Sequence, residues 1–295
     1  MRLNNRGLTL IELMIAMVIS LFAFALIYQA YQAQQRARTR EQLVVDMQQN
    51  ARSALAFMRR ELRMAGYDPR AVDGIDNNSS GGIDDSSESA QTGFKDARSW
   101  KVRFTLDVNG DGDYEDDNEY IEYRLSDDAD QDGVADNGAT ALLRRNRKDG
   151  YIESPIAYDI VAVAFAYAFD DDGDGALDTY PAPHDGIVIW AHDSGTDDDL
   201  DRHLDTNMDG VIDAADAVDG GDLTHDVPSI TDDIHFDKIR AVRIWLLART
   251  RSPIPGYFDN NTYVVGPRHI TPADNYKHCL LESMVYCRNM GASGP

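Results

Sequence analysis

Residues 6–31 read RGLTLIELMIAMVISLFAFALIYQAY, and this run constrains the chain more than any other feature. From Leu8 to Tyr31 its single charged residue is Glu12. As a helix rising about 1.5 Å per residue, the run spans roughly 36 Å, enough to cross a bilayer's hydrocarbon core. The flank MRLNNRG carries Arg2 and Arg6. Positive flanks stay on the cytoplasmic side, so the bulk of the chain is expected beyond the membrane. No small-residue cleavage site follows the run: AFALIYQAYQAQ continues into further helix-forming sequence, unlike a secretory signal peptide. A carboxylate in hydrocarbon costs at least a few kcal/mol, so Glu12 calls for a partner.

The helical pattern outlasts the apolar run. Gln32 to Ala65 contains no Pro or Gly, and Leu43, Met47, Ala51, Ala54, Leu55, Met58 and Leu62 recur at three- and four-residue steps. Arginines line the other faces, and Gly66 followed by Pro69 is a helix stop. The expected helix of about 59 residues is roughly 88 Å long. Beyond it the pattern changes to strands, expected at Trp100–Leu106, Tyr120–Leu125, Ala141–Arg145, Ile156–Phe169, Gly186–Trp190, Lys238–Thr250 and Leu280–Arg288. Ile156–Phe169 places Val161, Val163, Phe165, Tyr167 and Phe169 on one face and alanines on the other. The expected fold class is α+β, a long N-terminal helix whose second half packs on an antiparallel sheet.

Between the strands lie acidic loops with a common spacing. Asp107-Val-Asn109-Gly-Asp111-Gly112, Asp128-Ala-Asp130-Gln-Asp132-Gly133, Asp170-Asp-Asp172-Gly-Asp174-Gly175 and Asp205-Thr-Asn207-Met-Asp209-Gly210 each read D-x-[DN]-x-D-G. That is the first half of a calcium loop, with oxygen ligands at positions 1, 3 and 5 and a glycine for the tight turn. A carboxylate recurs at position 9, as Glu115, Asp136, Asp178 and Asp213, and Asp113 stands at position 7 of the first loop. The fourth loop also has Asp216 at position 12; its run DTNMDGVIDAAD resembles dockerin calcium loops and is expected to be the strongest site. The first loop has Asn118 at position 12, flanked by Asp117 and Glu119, while the second and third have Ala139 and Pro181. A degenerate fifth copy begins at Asp76. Single copies of such sequence make ordinary solvated turns, but four at one spacing point to bound cations. Hard oxygen donors favour Ca2+ over zinc, and Asp213–Val218 is expected to start a short helix.

The charge distribution agrees. The chain carries a net −23, but residues 1–66 hold nine basic against four acidic residues, and the remainder 19 against 47. A head this acidic repels nucleic acid and anionic lipid. No nucleophile elbow, phosphate loop or dinucleotide fingerprint occurs, and nothing singles out one acid pair for catalysis, so no enzyme is expected. The seven histidines form no metal pair and are expected on loops or at the surface. Cys279 and Cys287 on one strand would lie about 26 Å apart, whereas a disulfide needs Cα atoms within about 7 Å. The strand reading therefore leaves them unbonded.

The stretch Arg6-Gly7-Leu8-Thr9-Leu10-Ile11-Glu12 resembles the type III signal of type IV prepilins and pseudopilins. The resemblance implies cleavage after Gly7 by a prepilin peptidase, N-methylation of Leu8, and pairing of Glu12 with the terminal amine of a neighbouring subunit. On that reading Glu12 sets register: unpaired it is costly, and assembly supplies the opposite charge. RRELRMAGYDP at 59–69, DKIRAVRIWLLART at 237–250 and HCLLESMVYCRNMG at 278–291 resemble PilW-like minor pilins and the related J-type pseudopilins of type II secretion. The implied organisation is a leader at 1–7, a membrane half-helix at 8–31, an amphipathic half-helix at 32–66 and a β-rich head at 67–295. The implied partners are other minor and major pilins, the peptidase and the inner membrane, with the head in the periplasm and then in the fibre. The minor pilin would prime assembly or sit near a tip. A pseudopilin is the alternative within this class, and a signal-anchored, calcium-dependent adhesion module that never polymerises is the alternative outside it.

Overall fold

A computed structural model describes residues 9–70, 75–76, 92–147, 150, 152–180, 186–195, 199–207, 209–216, 221–222 and 234–290. Gly7 and Leu8, the acidic copy beyond Asp76, Pro181, and the end of the expected short helix at 217–218 lie outside the described residues. Contacts divide the chain into two compact units, residues 1–45 and residues 46–295.

One helix, α1 (Leu10–Leu62), runs through both units. In the first unit its apolar side chains from Leu10 to Tyr31 are exposed, and an 18-residue window has mean hydropathy 2.7 with none of it buried within the chain. The helix is long and apolar enough to cross a membrane. In the second unit Met47, Ala51, Ala54, Leu55, Met58 and Leu62 are buried, the three- and four-residue stripe expected from the sequence. The helix ends at Leu62, three residues before the expected Ala65, and a turn carries the chain to Gly66. Gly66 has φ of 76°, and its N–H donates to the Thr105 carbonyl at 3.0 Å, so the chain leaves the helix straight onto the sheet.

Among the described residues one sheet has ten strands, with every strand pair antiparallel. They are β1 (Gly93–Ala97), β2 (Val102–Thr105), β3 (Tyr120–Leu125), β4 (Thr140–Arg145), β5 (Glu153–Phe169), β6 (Ala191–His192), β7 (Arg202–His203), β8 (Gly221–Asp222), β9 (Ile239–Arg249) and β10 (His278–Tyr286). The first five form a meander. Strand β5 is its long spine: one edge takes β4 and then β6, and the other takes β9, which pairs in turn with β10. The register sets Phe165 against Ile244 and Tyr167 against Val242.

Both faces of β5 are buried over Ile160–Phe169. The bulky face carries Phe165, Tyr167 and Phe169, and Phe94 packs on both Phe104 and Tyr167. The opposite face, Ala162, Ala164, Ala166 and Ala168, is not left open. Trp190, Leu204, Trp245 and Val265 fill the space the small side chains leave, and Val134, Leu177 and Ile212 pack against this cluster. Those last three residues follow the glycines of the second, third and fourth acidic loops. The loops are thus moored to the sheet by apolar side chains.

Helix and sheet are also latched by a polar network. The Glu61 carboxylate accepts from Arg144 Nε at 2.8 and 3.1 Å and from Nη2 at 2.8 Å, and it accepts the Tyr123 hydroxyl. Tyr123 is fully buried and Arg144 is 8% exposed. Burial, then the Glu61 charge, push the Tyr123 hydroxyl well above its usual range. The Arg144 guanidinium stacks near Phe57 on the helix and also donates to Asn118 Oδ1 at 3.0 Å.

Three strand expectations are corrected. Trp100–Leu106 narrows to Val102–Thr105. Gly186–Trp190 shrinks to a two-residue pair at Ile187–Val188, and β1 was not anticipated. The histidines also depart from the expectation: His192, His203 and His278 are buried. His278 Nδ1 lies 3.0 Å from Asp259 Oδ2, and Asp259 also accepts from the Tyr263 hydroxyl, so a local hydrogen-bond network satisfies the ring where a surface position was expected. Cys279 and Cys287 are free thiols, and β10 runs straight from one towards the other.

Candidate functional site

Two regions carry chemistry, the start of α1 and the acidic loops. At the start of α1, Glu12 Oε2 accepts hydrogen bonds from the Thr9 N–H and hydroxyl, both at 2.9 Å, and the Glu12 N–H donates to Thr9 Oγ1 at 3.3 Å. This is a reciprocal capping box, T-x-x-E, in which the first turn satisfies its own orphan donors. The signal is local and legible in the sequence as Thr9-Leu-Ile-Glu12. The carboxylate also sits at the positive end of the helix dipole. Within one chain Glu12 therefore already has local partners, although none of them is a charge.

In the acidic loops the expected first-half geometry is present four times. The position-1 aspartate receives the backbone of its own turn through both oxygens. Asp107 accepts from Gly110 and Gly112 at 2.5 and 2.8 Å, and Asp128 from Asp132 and Gly133 at 3.0 and 3.1 Å. Asp170 accepts from Gly173 and Gly175 at 2.8 and 3.1 Å, and Asp205 from Asp209 and Gly210 at 3.1 and 2.7 Å. Asn109, Asp172 and Asn207 at position 3 each accept from the N–H two residues on. The position-5 residues Asp111, Asp132, Asp174 and Asp209 do likewise. Asp113 accepts from the Glu115 N–H at 2.7 Å.

The loops close in three different ways. In the second and third, the position-9 acids Asp136 and Asp178 reach back to the N–H of Ala129 and Asp171, at 2.8 and 2.9 Å. In the fourth, Asp216 takes that place, accepting from Thr206 at 2.8 Å and Asn207 at 3.4 Å, while Asp213 accepts from Ala215 at 2.7 Å. In the first, Glu119 closes the loop from position 13, accepting from Val108 and Asn109 at 2.9 and 3.2 Å. The reason is backbone geometry: Asn118 adopts a positive φ of 70° and turns its side chain to Arg144, bringing the next residue inward. By spacing alone, Glu119 is only a flank of position 12.

Among the described residues, three groups of carboxylates lie within 4.8 Å of one another: Asp107, Asp111 and Glu119; Asp128, Asp130 and Asp132; and Asp170, Asp172 and Asp174. The fourth loop, expected to be strongest, shows no such grouping among the described residues. In the third loop a cation of the protein is already near, since Arg240 Nε lies 3.6 Å from Asp170 Oδ2. Burial raises the carboxyls of Glu119, Asp128 and Asp178, and neighbouring aspartates push each of them further. Oxygen-only donor sets on tight turns suit a hard divalent cation.

Comparison with known proteins bears on the first region. Residues 2–28 match the family described as the prokaryotic N-terminal methylation motif, and residues 40–141 match Prepilin peptidase-dependent protein B. No curated protein matches the chain. Among solved structures the chain is similar to a type IV-like pilin from Thermus thermophilus, at 12% identity, 83% coverage of this chain and 98% of that one, with a TM-score of 0.41. The chain thus carries a prokaryotic N-terminal methylation motif, followed by a segment similar to a prepilin peptidase-dependent protein.

Proposed function

We propose that this chain is a minor pilin: a structural subunit, not an enzyme, that is processed after Gly7, held in the inner membrane by α1 and assembled with other pilins through that helix. The observation that carries the reading is the methylation motif at residues 2–28 running directly into an exposed apolar helix with Glu12 in its first turn. The head lies in the periplasm before assembly and primes the filament or sits near its tip. Its acidic loops hold calcium and are ordered by it.

Glu12 has two separable jobs on this reading, and substitutions distinguish them. Glu12→Gln keeps an acceptor for the Thr9 N–H but removes the charge that pairs with a neighbour's amine. Thr9→Ala weakens the cap, by about 1 kcal/mol, and keeps the charge. The expected result in sheared filament fractions is loss of the Glu12→Gln subunit and retention of Thr9→Ala. Filaments that incorporate Glu12→Gln as well as wild type would reduce Glu12 to a helix cap, and absence of the wild-type chain itself from filaments would favour an anchored module that does not polymerise.

A further inference from the structure

The first acidic loop contains a feature that the other three lack. Glu119 is 1% exposed, and only one of its two oxygens is used: Oε1 takes the Val108 and Asn109 N–H groups, while Oε2 is buried with no hydrogen-bond partner. Its carboxylate lies within 4.8 Å of those of Asp107 and Asp111. A buried, unpartnered carboxylate oxygen beside two further carboxylates is an arrangement a protein does not keep without a counter-charge. Asp107 is itself 1% exposed. No described Lys or Arg forms an ion pair with Asp107, Asp111 or Glu119, and the nearby Arg70 guanidinium packs against Gly112 of the loop.

We propose that Asp107, Asp111 and Glu119, with the Asn109 amide oxygen at position 3, form a divalent-cation site closed by Glu119 from position 13, with Glu115 playing no part in closing it. This rests on the reading of the acidic loops as calcium loops, and adds which acid completes the site and what the ion holds. Asp107 follows the end of β2, and Glu119 immediately precedes β3, so one ion clamps the two strands across their connection. The clamp reaches the helix by two routes. The Asp107 N–H donates to the Tyr67 carbonyl at 2.7 Å, just past the turn that ends α1. Asn118, next to Glu119, receives Arg144, which holds Glu61 on α1. The cation therefore fastens the part of the sheet against which the helix end is latched.

The test uses the full-length chain in detergent, calcium as the probe, and three proteins: wild type, Glu119→Gln and Glu115→Gln. Bound calcium is counted by equilibrium dialysis, and backbone protection at residues 61–67 is followed by hydrogen exchange with and without chelator. The expected result is that Glu119→Gln binds one calcium fewer than wild type while Glu115→Gln binds as many. Chelator should raise exchange at 61–67 at least tenfold in wild type and change it little further in Glu119→Gln. Retained near-ultraviolet dichroism in Glu119→Gln would show that loss of the ion is not loss of the fold; if that variant unfolds, Asp111→Asn replaces it with the same expectation. Calcium binding by wild type with an unchanged count in Glu119→Gln and Asp111→Asn overturns this site alone. No bound calcium in wild type overturns the calcium reading of the loops and this site with it.

Discussion

Replacing Glu61 by alanine should destabilise the head more than any other single polar change on α1. The substitution removes the acceptor of three Arg144 contacts and of the Tyr123 hydroxyl. Arg144, whose side chain is 10% exposed, would keep one acceptor, Asn118 Oδ1. Breaking a buried pair by removing one partner costs about 3–5 kcal/mol, because the remaining charge is stranded. Leaving the buried Tyr123 hydroxyl without its partner adds about 1–3 kcal/mol taken alone. The two losses belong to one network and do not add, so about 4 kcal/mol is expected in total. For a unit of this size each kcal/mol lowers Tm by about 2–4 °C, giving a drop of about 8–16 °C. Urea unfolding of the detergent-solubilised chain, followed by fluorescence of Trp100, Trp190 and Trp245, measures it. The double variant Glu61→Leu, Arg144→Met replaces both charges with apolar groups and should recover most of the loss. A cost below about 1 kcal/mol for Glu61→Ala would mean the pair behaves as a solvated one and would refute the reasoning, as would a double variant no better than the single.

Other consequences can be checked on the same preparation. Gly133→Ala places a Cβ 2.6 Å from the Val163 carbonyl at φ of 82°, and should cost about 1–2 kcal/mol of backbone strain plus about 1–3 kcal/mol of overlap. Gly173→Ala, at φ of 75° with nothing within 4 Å, should lose only the strain term, so equal midpoints for the two variants would contradict the packing of the second loop on β5. Burial pushes the Cys287 thiol up to about 12, with Arg240 opposing it, so native protein at pH 8 should alkylate at half-buried Cys279 long before Cys287, as peptide mass analysis would show. Burial holds buried His192 below its usual range, against its hydrogen bond to the Asp193 carbonyl and the Asp201 charge. Its contribution to stability is then present above the unfolded value near 6.5 and is lost as pH falls below it. His192→Gln should flatten the urea midpoint between pH 7 and 5.5 relative to wild type, and an unchanged slope would count against it.

The parts of the fold that were legible in the sequence are those set by local periodicity. The stripe Met47 to Leu62, the alternation of VAVAFAYAF in β5 and the run KIRAVRIWLLART of β9 each name their element and the face it buries. What could not be read depends on partners distant in sequence. The alanine face of β5 looks like an outer face until Trp190 and Trp245 are brought over it. Arg144 and Glu61 are 83 residues apart and meet only because β4 lies beside β3 under the helix. In the acidic loops, spacing marked positions 1, 3 and 5, and apart from Asp130 those residues bond to their own turn. It did not find the closing acid of the first loop, since a single positive φ at Asn118 decides whether residue 118 or 119 points inward. The Thr9–Glu12 cap is the opposite case, a local signal carried by residues three apart, on the same glutamate whose membrane cost calls for a distant partner.

The central claim is that α1 is the processed, polymerising helix of a pilin. Its most direct test is N-terminal peptide and intact-mass analysis of the protein purified from its native membrane. The account predicts a chain that begins at N-methylated Leu8, with the seven preceding residues removed. A chain still carrying those residues, in cells whose prepilin peptidase is active, would contradict it and leave an acidic-loop head on a plain membrane anchor.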